Sequence, residues 1–542
     1  MIIITIRGKI NLSEKIKITI VMDDEKQNIH TDEKSEKSVT VTHDSSMTLM
    51  STLLKNNLIE SSLCGGRGDC GRCMVQFIQG APMPTPLERG RLNAEELRQG
   101  FRLSCFARIK DDCVIRLVFP REPEIAIVTE TIDLSENNDS ISQPNKSSVF
   151  READVTQSDV GNGDMIFYII AVDLGTTTIA MQLRRMDTGE IVDTYCAMNP
   201  QRKYGSDVLS RIQAACDGHG EILRRCVWEV LERGVAQFAD SVGKASIKCI
   251  CIAGNTTMEH LFMGQDVSSL GRSPFIPVEI GLQKCEGPSA IPIYITPGIS
   301  TFVGGDIVAG MYALSMMSGT GEEQVSGKGL TERRGGVRLL IDLGTNGEMA
   351  ITDGTDTLVT ATAAGPAFEG GMEKAVVGTD MIAVTASLRS RGVLDETGLL
   401  AEPYFTQGVS IHTQKGDFIL VNQDIRALQM AKAAVRAGVE ILWEQMGRPG
   451  IQRVYLAGGF GYYLDVEAAF AIGLLPGQMR GSVQAVGNTS LEGAFRIGRD
   501  LCQEVTDKHM LEGSLSSIKS INLAKQEKFE RLYMGYMDLC RN

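Results

Sequence analysis

The chain has no excess of basic residues and no long apolar run. Of its 542 residues, 54 are Lys or Arg and 67 are Asp or Glu, which gives a formal net charge of −13. Proteins that bind nucleic acid through its phosphates need the opposite balance, so we expect no nucleic-acid partner. No stretch reaches the roughly 18 uninterrupted apolar residues of a membrane span. The opening MIIITIRGKI also lacks a small-residue cleavage site after it. These absences predict a cytoplasmic protein without a membrane span.

The length predicts two to four domains, because a chain of this size exceeds one compact core. Residues 1–125 contain short alternating strands and four grouped cysteines. Residues 126–164 include the polar string SENNDSISQPNKSS, which predicts a flexible linker. Residues 165–542 alternate apolar strands with helical runs, a pattern typical of an α/β domain, and leave open an inserted subdomain within 179–330.

Four cysteines near the N-terminus have the spacing of an iron–sulfur site. Cys64, Cys70 and Cys73 form a C-x5-C-x2-C pattern, and Cys105 follows in RLSCFARI. An iron–sulfur cluster needs four thiolates around a compact core, and the glycines between the first three let the loop curl tightly. Zinc and unligated thiols are the alternatives. A zinc site usually has paired C-x2-C units or His ligands, whereas here one C-x2-C is present and no His lies between Cys64 and Cys105.

This pattern resembles the adrenodoxin and xanthine-oxidase types of ferredoxin, over roughly residues 15–120. The resemblance implies a β-grasp fold and a [2Fe–2S] cluster held by the four cysteines. The spacing differs by one residue from the plant-type C-x4-C-x2-C. Cys113 lies in a strand pattern outside the set, so we interpret it as structural.

A second motif occurs twice in the larger part of the chain. Asp173-Leu-Gly-Thr-Thr-Thr ends one apolar strand, and Asp342-Leu-Gly-Thr-Asn-Gly-Glu ends another about 170 residues later. Gly and Thr in a turn offer N–H groups and hydroxyls to phosphates, and an Asp beside it can hold Mg²⁺ through water. A carboxylate such as Asp342 or Glu348 can orient an attacking water. The repeat predicts a duplicated domain that faces itself across a cleft. A P-loop, GxxxxGK[ST], is absent.

A third string, Ala457-Gly-Gly-Phe-Gly461, follows the strand RVYL and lets the backbone approach a flat ligand. In combination the three strings resemble the ASKHA superfamily of sugar and acetate kinases, heat-shock 70 chaperones and actin, over about residues 165–542. The resemblance implies a duplicated ribonuclease-H-like actin/hexokinase fold that binds ATP and Mg²⁺. The ligand-binding residues it implies lie in two phosphate loops and one adenosine loop: Gly175, Thr176, Thr177, Thr178; Gly344, Thr345, Asn346; and Gly458, Gly459, Phe460.

The joined architecture is similar to the ATP-dependent reductive activators of corrinoid-dependent methyltransferases, found in acetogens and related anaerobes. The stretches NPQRKYGSDVLSRI, AGNTTMEHLF, IDLGTNGEMA, AAGPAFEGGM and LAGGFG carry this resemblance. It implies an ATP-hydrolysing iron–sulfur oxidoreductase that returns an oxidised corrinoid from Co(II) to Co(I). The implied partners are a corrinoid protein and a low-potential electron donor.

Three other functions stay open at this point. An ATP-driven activator of 2-hydroxyacyl-CoA dehydratases would carry its cluster cysteines inside the ATPase fold, where this chain has no grouped cysteines. A small-molecule kinase with an appended redox module would phosphorylate a substrate. A chaperone-like protein would couple ATP to binding alone.

Overall fold

The computed structural model describes residues 16–22, 37–45, 47–56, 58–59, 73–89, 92, 94–117, 166–205, 207–317, 336–364, 378–413 and 416–539. Contacts divide the chain into two compact units. The described part of the smaller unit lies in residues 16–117 and Pro200–His219, and the larger unit holds the rest. The predicted linker within 126–164 lies outside the described residues, and the domain boundaries drawn from the sequence stay predictions.

The smaller unit is built on a mixed five-stranded sheet in the order β2-β1-β5-β3-β4. β1 and β5 run parallel, and the other neighbours are antiparallel. Alternate residues of β5 face the core, as period-two patterning dictates for a half-buried strand. α1 begins after Thr48, whose side chain accepts the Ser51 N–H, and packs Leu49 and Leu53 into that core. The elements are β1 (Ile16–Met22), β2 (Lys37–His43), α1 (Leu49–Lys55), β3 (Met74–Gln79), α2 (Pro86–Arg89), α3 (Ala94–Arg98), β4 (Phe101–Leu103) and β5 (Cys113–Leu117).

The first half of the α/β region forms a six-stranded sheet in the order β10-β11-β9-β6-β7-β8. The helix α4 that follows β8 in the chain belongs to the smaller unit. β6 is almost continuously apolar, as expected for a strand covered on both faces. The elements are β6 (Tyr168–Leu174), β7 (Thr178–Arg185), β8 (Ile191–Met198), α4 (Val208–Ala214), α5 (Gly220–Val242), β9 (Ile247–Gly254), α6 (Thr256–Met263), β10 (Gln283–Glu286), β11 (Pro292–Ile295) and α7 (Gly305–Ala313).

The second half forms another six-stranded sheet in the order β18-β17-β12-β13-β14-β19, beside a separate hairpin of β15 and β16. The elements are β12 (Val337–Leu343), β13 (Gly347–Thr352), β14 (Thr357–Thr362), α8 (Gly378–Ser390), α9 (Tyr404–Gln407), β15 (Val409–Thr413), β16 (Gly416–Leu420), α10 (Asn422–Gln445), β17 (Ile451–Ala457), α11 (Gly458–Tyr463), α12 (Val466–Ala471), β18 (Val483–Gly487), α13 (Thr489–Cys502), α14 (Lys508–Leu515), β19 (Ile518–Ser520) and α15 (Phe529–Gly535).

The two large sheets repeat one topology. In each, three antiparallel strands in sequence order are followed by two parallel strands on the other side of the first: β6-β7-β8 with β9 and β11, and β12-β13-β14 with β17 and β18. This repetition is the duplicated α/β architecture that the repeated Asp-Leu-Gly-Thr string predicts.

Helices α7 and α13 connect the two large sheets. Both contribute to one apolar core that also includes residues of β6, β9, β12 and β13. The helices approach so closely at Gly493 that a Cβ atom there would overlap the carbonyl group of Ala309. α7 contacts β9 of the first sheet and both β12 and β13 of the second. The helix pair therefore packs in the core between the two large sheets and contributes to the interface between the two halves.

Within the described ranges, no helix combines the length and the apolar character that crossing a membrane requires.

Candidate iron–sulfur and nucleotide sites

Cys73 and Cys105 lie side by side in the smaller unit. Cys73 directly precedes β3 and Cys105 lies in the turn after β4, and their Sγ atoms are 3.3 Å apart. Their exposed fractions are only 4% and 6%. The Ser104 N–H donates to the Cys73 carbonyl at 2.8 Å, which fixes the two turns against each other. Two of the four predicted ligands thus meet, while Cys64 and Cys70 lie outside the described residues.

The surroundings of these thiols suit an iron–sulfur cluster. Leu92 and Leu103 complete a small apolar core with the two cysteines. The Ser104 hydroxyl is buried and finds no hydrogen-bond partner in the described part of the chain. Buried Glu88 accepts the Leu103 N–H at 2.8 Å and so anchors β4 just before Cys105. Two adjacent buried thiols supply half of the four thiolates that a [2Fe–2S] cluster requires.

The first predicted phosphate loop is the turn between β6 and β7. A Cβ atom on Gly175 would stand 2.7 Å from the Thr178 carbonyl oxygen, so the turn has no room for a larger residue there. Asn199 Nδ2 donates to the Gly175 carbonyl at 2.8 Å, and Asn255 Nδ2 donates to Thr176 Oγ1 at 3.0 Å. Two asparagines from other elements therefore hold this turn in place.

The second predicted loop, between β12 and β13, faces the first. Thr345 Oγ1 and Thr177 Oγ1 are 3.2 Å apart, although 168 residues separate them in sequence. The Gly344 N–H donates to the Asn346 carbonyl at 2.9 Å, which closes the turn. Glu348 is buried and lies opposite Asp342 in the register of β12 and β13. The structure thus brings both loops to one site, as the repeat predicts.

The third predicted loop also reaches this site. Gly458 begins α11 with φ +80°, a conformation that favours glycine, and a Cβ atom there would stand 2.5 Å from Asp342 Oδ1. Gly459 and Phe460 follow in the same helix. Any side chain at position 458 would therefore push against the second-loop carboxylate.

Carboxylates crowd behind the two loops. Burial raises the pKa of Asp173 to about 6, although the hydrogen bond from Asn488 Nδ2 at 2.8 Å opposes that rise. Burial raises the pKa of Asp306 to about 7, and the nearby charge of Asp173 adds to the rise. The pKa values of Glu348 and Glu259 are raised as well, first by burial and then by the charge on Asp306. Such a crowd of like charges is unfavourable alone and favours a bound cation.

The sequence analysis assigned no role at this site to several of its members: Asn199, Asn255, Glu259, Asp306 and Asn488. One sequence signal was present for three of them, Asn255, Glu259 and Asn488. Gly254-Asn-Thr-Thr-Met-Glu259 and Gly487-Asn-Thr-Ser-Leu-Glu492 share the pattern G-N-T-x-x-E. In both copies the Asn caps a helix, α6 or α13, by accepting the N–H three residues later. Its amide then points at the first hairpin, toward Thr176 or Asp173.

Three protein families match consecutive parts of the chain. Residues 32–110 match the 2Fe-2S iron-sulfur cluster binding domain, and residues 168–319 match the RACo middle region. Residues 336–375 and 372–542 match the C-terminal domain of RACo, the ASKHA domain. These matches confirm the predicted fold class and define the class of protein: a 2Fe-2S ferredoxin-type domain joined to an ASKHA domain. The domain matches support a [2Fe–2S] cluster in the first part and ATP in the second.

More specifically, the chain has the RACo-type domain set and is homologous to corrinoid activation enzymes, which confirms the resemblance seen in the sequence. It is 29% identical over 394 residues to the corrinoid activation enzyme RamQ of Eubacterium limosum, which covers 60% of this chain and 63% of RamQ. It is 22% identical to the [Co(II) methylated amine-specific corrinoid protein] reductase of Methanosarcina barkeri, over 68% of this chain and 76% of that protein. The solved structure of a reductive activator for a corrinoid, iron-sulfur protein has the same fold. It aligns with a TM-score of 0.59 and 23% identity, over 96% of this chain and 98% of that one.

Proposed function

We propose that this protein reactivates a corrinoid protein of a methyltransferase system by passing it one electron, from Co(II) to Co(I), in an ATP-dependent reaction. The observation that carries the proposal is the presence in one chain of a buried pair of adjacent thiols and of two facing phosphate-loop hairpins. Homology to RamQ and to the Methanosarcina barkeri reductase supports the choice of a corrinoid as substrate.

In the smaller unit, Cys64, Cys70, Cys73 and Cys105 would hold the [2Fe–2S] cluster, which supplies one-electron transfer. The chain's own contribution is to exclude water and to fix the thiols. Leu92, Leu103 and the flanking aromatic rings form the apolar side of this pocket. A dry, thiolate-rich environment disfavours added negative charge, so we expect it to keep the reduction potential low.

In the larger unit, Asp173 and Asp342 would hold Mg²⁺ through water molecules, with the phosphates on the turns of the two hairpins. Gly175, Thr176, Thr177 and Thr178 would offer N–H groups and hydroxyls on one side, and Gly344, Thr345 and Asn346 on the other. Gly458, Gly459 and Phe460 would border the adenosine. Glu348 would orient the hydrolytic water, because it is buried beside Asp342.

ATP is needed in this proposal because the electron transfer is uphill. For one electron, each 59 mV of deficit costs a factor of ten in the equilibrium constant. Two halves that close on a nucleotide give a bistable element, which can couple hydrolysis to a change at the partner. A low-potential donor must refill the cluster, and such chemistry needs a reducing compartment, so the cytoplasm stays our predicted location.

The decisive experiment follows Co(I) directly. The chemically reduced protein is mixed under anaerobic conditions with a Co(II) corrinoid protein, and the Co(I) absorption band is recorded with Mg-ATP and without nucleotide. We expect the band to grow only with ATP. No ATP-dependent Co(I) would overturn the proposal, and a phosphorylated small molecule in its place would identify a kinase.

Two buried cysteines of the smaller unit provide a matched pair of variants. Cys73→Ser should remove the cluster absorption and Co(I) formation while nucleotide binding persists. Cys113→Ser alters an equally buried thiol in β5, whose pKa burial raises to about 11, and should leave the cluster intact. Equal loss of the cluster in both variants would mean that general unfolding, rather than ligand loss, explains the result.

A further inference from the structure

Two cysteines far apart in sequence meet in the larger unit. Cys249 lies in β9, Cys502 ends α13, and their Sγ atoms are 3.3 Å apart. A disulfide bond is about 2.05 Å long, so bond formation would need an approach of only about 1 Å. Cys249 is fully buried, whereas Cys502 is partly exposed. A small reagent from solvent would therefore reach Cys502 first.

The electrostatic surroundings favour reaction at Cys502. Its hydrogen bond with Cys249, together with the charges on Lys248 and Lys284, lowers the pKa of Cys502 below the usual range of a thiol, against the effect of burial. By contrast, the pKa of Cys249 is raised, first by that hydrogen bond and then by burial. The thiolate is the nucleophile in thiol–disulfide exchange. The pair thus contains one thiol that can attack a disulfide, Cys502, and one buried thiol, Cys249, that can then displace the small thiol from the mixed disulfide.

Metal binding does not explain this pair. Cys251, two residues along β9, is also buried near Gly498 of α13, but its pKa is raised far above the usual range because burial disfavours its thiolate. No group of three or more His, Cys, Asp or Glu side chains with metal-binding geometry occurs within the residues that the structure describes. A dithiol that can become a disulfide fits these observations.

The pair is connected to the nucleotide site by one helix. α13 ends at Cys502 and begins after Asn488, whose amide donates to Asp173 Oδ2 at 2.8 Å. The same helix packs against β6 and β9 and lies on the backbone of α7. A covalent bond between Cys502 and β9 would fix the far end of α13 and limit its movement relative to the hairpin that holds Asp173.

We propose that Cys249 and Cys502 form a reversible dithiol–disulfide site that slows ATP hydrolysis when it is oxidised by a small-molecule disulfide. The Cys502 thiolate attacks the reagent, forms a mixed disulfide and expels one small thiolate, which takes up the proton that Cys502 has lost. Cys249 then attacks Cys502 Sγ and expels the second, which takes up the Cys249 proton. The two protein thiols lose two electrons and form one disulfide. The small disulfide gains those two electrons and becomes two small thiols.

The test uses the full-length protein with its cluster, incubated anaerobically with oxidised glutathione and then digested for peptide mass spectrometry. We expect a linked peptide pair containing Cys249 and Cys502, and an ATP hydrolysis rate at least twofold lower that dithiothreitol restores. Cys502→Ser should abolish both changes. Cys249→Ala should leave Cys502 carrying glutathione, because the resolving thiol is absent. Cys216→Ser, which alters an exposed cysteine elsewhere, should behave as the unaltered protein does.

Three results would overturn the proposal. The first is Cys502 linked to Cys251 or left only as a mixed disulfide in the unaltered chain. The second is oxidation confined to other cysteines. The third is a Cys249–Cys502 bond with an unchanged rate of ATP hydrolysis, which would remove its regulatory part. Because the peptide linkage is read by mass, these outcomes are distinguishable from failure of the proposed corrinoid activity.

Discussion

The β6–β7 and β12–β13 hairpins start from the same Asp-Leu-Gly-Thr string but are held by different neighbours. Asparagine side chains fix the first hairpin: Asn199 and Asn255 bind its turn, and Asn488 binds Asp173. At the second hairpin, the backbone of Gly458 packs directly against Asp342. The copies thus keep the string and the antiparallel strand pair, but the last paired residues enclose four residues in the first turn and three in the second. The surroundings of the two turns have also diverged.

This difference indicates a division of labour between the two copies. A carboxylate that is buried and held by an amide, as Asp173 is, has a fixed position and a raised pKa. A carboxylate that borders a glycine backbone leaves space for a flat ligand to approach. We therefore expect the first hairpin to position the metal and the second to shape the nucleotide pocket. Four predictions test this comparison.

The largest effect is expected for Asp173→Asn. Loss of the carboxylate should lower ATP hydrolysis by about 100-fold, because the metal loses a fixed anionic partner. Without nucleotide and metal, the variant should melt at a higher temperature than the parent at pH 8, since a carboxylate with a raised pKa destabilises the fold when ionised. Steady-state kinetics and thermal melts measure both. A lower melting temperature for the apo variant would contradict the description of Asp173 as an unfavourably buried charge.

Gly458→Ala should produce the next largest effect. The added Cβ would meet Asp342 Oδ1 at 2.5 Å in a backbone conformation that disfavours alanine, so we expect a loss of about 1 to 3 kcal/mol in stability. Nucleotide affinity should fall by about tenfold. Gly450→Ala is the control, because no atom lies near a Cβ at that position and its φ is not positive. Equal effects at both positions would show that the second hairpin does not depend on this close approach.

Acidification should weaken Mg-nucleotide binding by about fivefold between pH 8 and pH 5.5. The pKa of Asp173 is about 6 and that of Asp306 about 7, so both carboxylates take up protons in this range and lose the charge that attracts the metal. Without metal and nucleotide, acidification over the same range should instead raise the stability of the fold, because protonation removes unfavourable buried charge. Isothermal titration across this range measures the affinity. An affinity that does not depend on pH would show that neither group titrates in the free protein.

The smallest effect is expected for Asn255→Ser. Serine can still cap α6 by accepting the Met258 N–H, but it cannot reach Thr176. One lost hydrogen bond of about 1 kcal/mol predicts an approximately fivefold weaker affinity for nucleotide with little change in melting temperature. A large drop in melting temperature would instead assign Asn255 a structural role alone.

The sequence was sufficient for those parts of the sites that are continuous in the chain. Asp173, Thr177 and Thr345 were predicted because each strand ends in the same short string, and the structure brings both threonines together. Asn488 was not predicted, because its contact with Asp173 spans 315 residues and depends on where α13 begins. Cys249 lies in the apolar strand β9 and is buried there, as its alternating strand pattern indicates. Its pairing with Cys502 depends on the packing of α13 against β9, which no local pattern encodes.

The contact between Gly493 and Ala309 determines how the two halves of the larger unit can move. Where two helices touch through their backbones, few side chains interlock between them. Small translations along the contact therefore cost little free energy, whereas separating the helices exposes the core and costs much more. Opening and closing on a nucleotide should therefore occur as shear, with α13 gliding over α7 by an ångström or two. A bulky residue at position 493 would separate the two helices, and we would then expect the halves to close by rotation about a hinge instead of by shear.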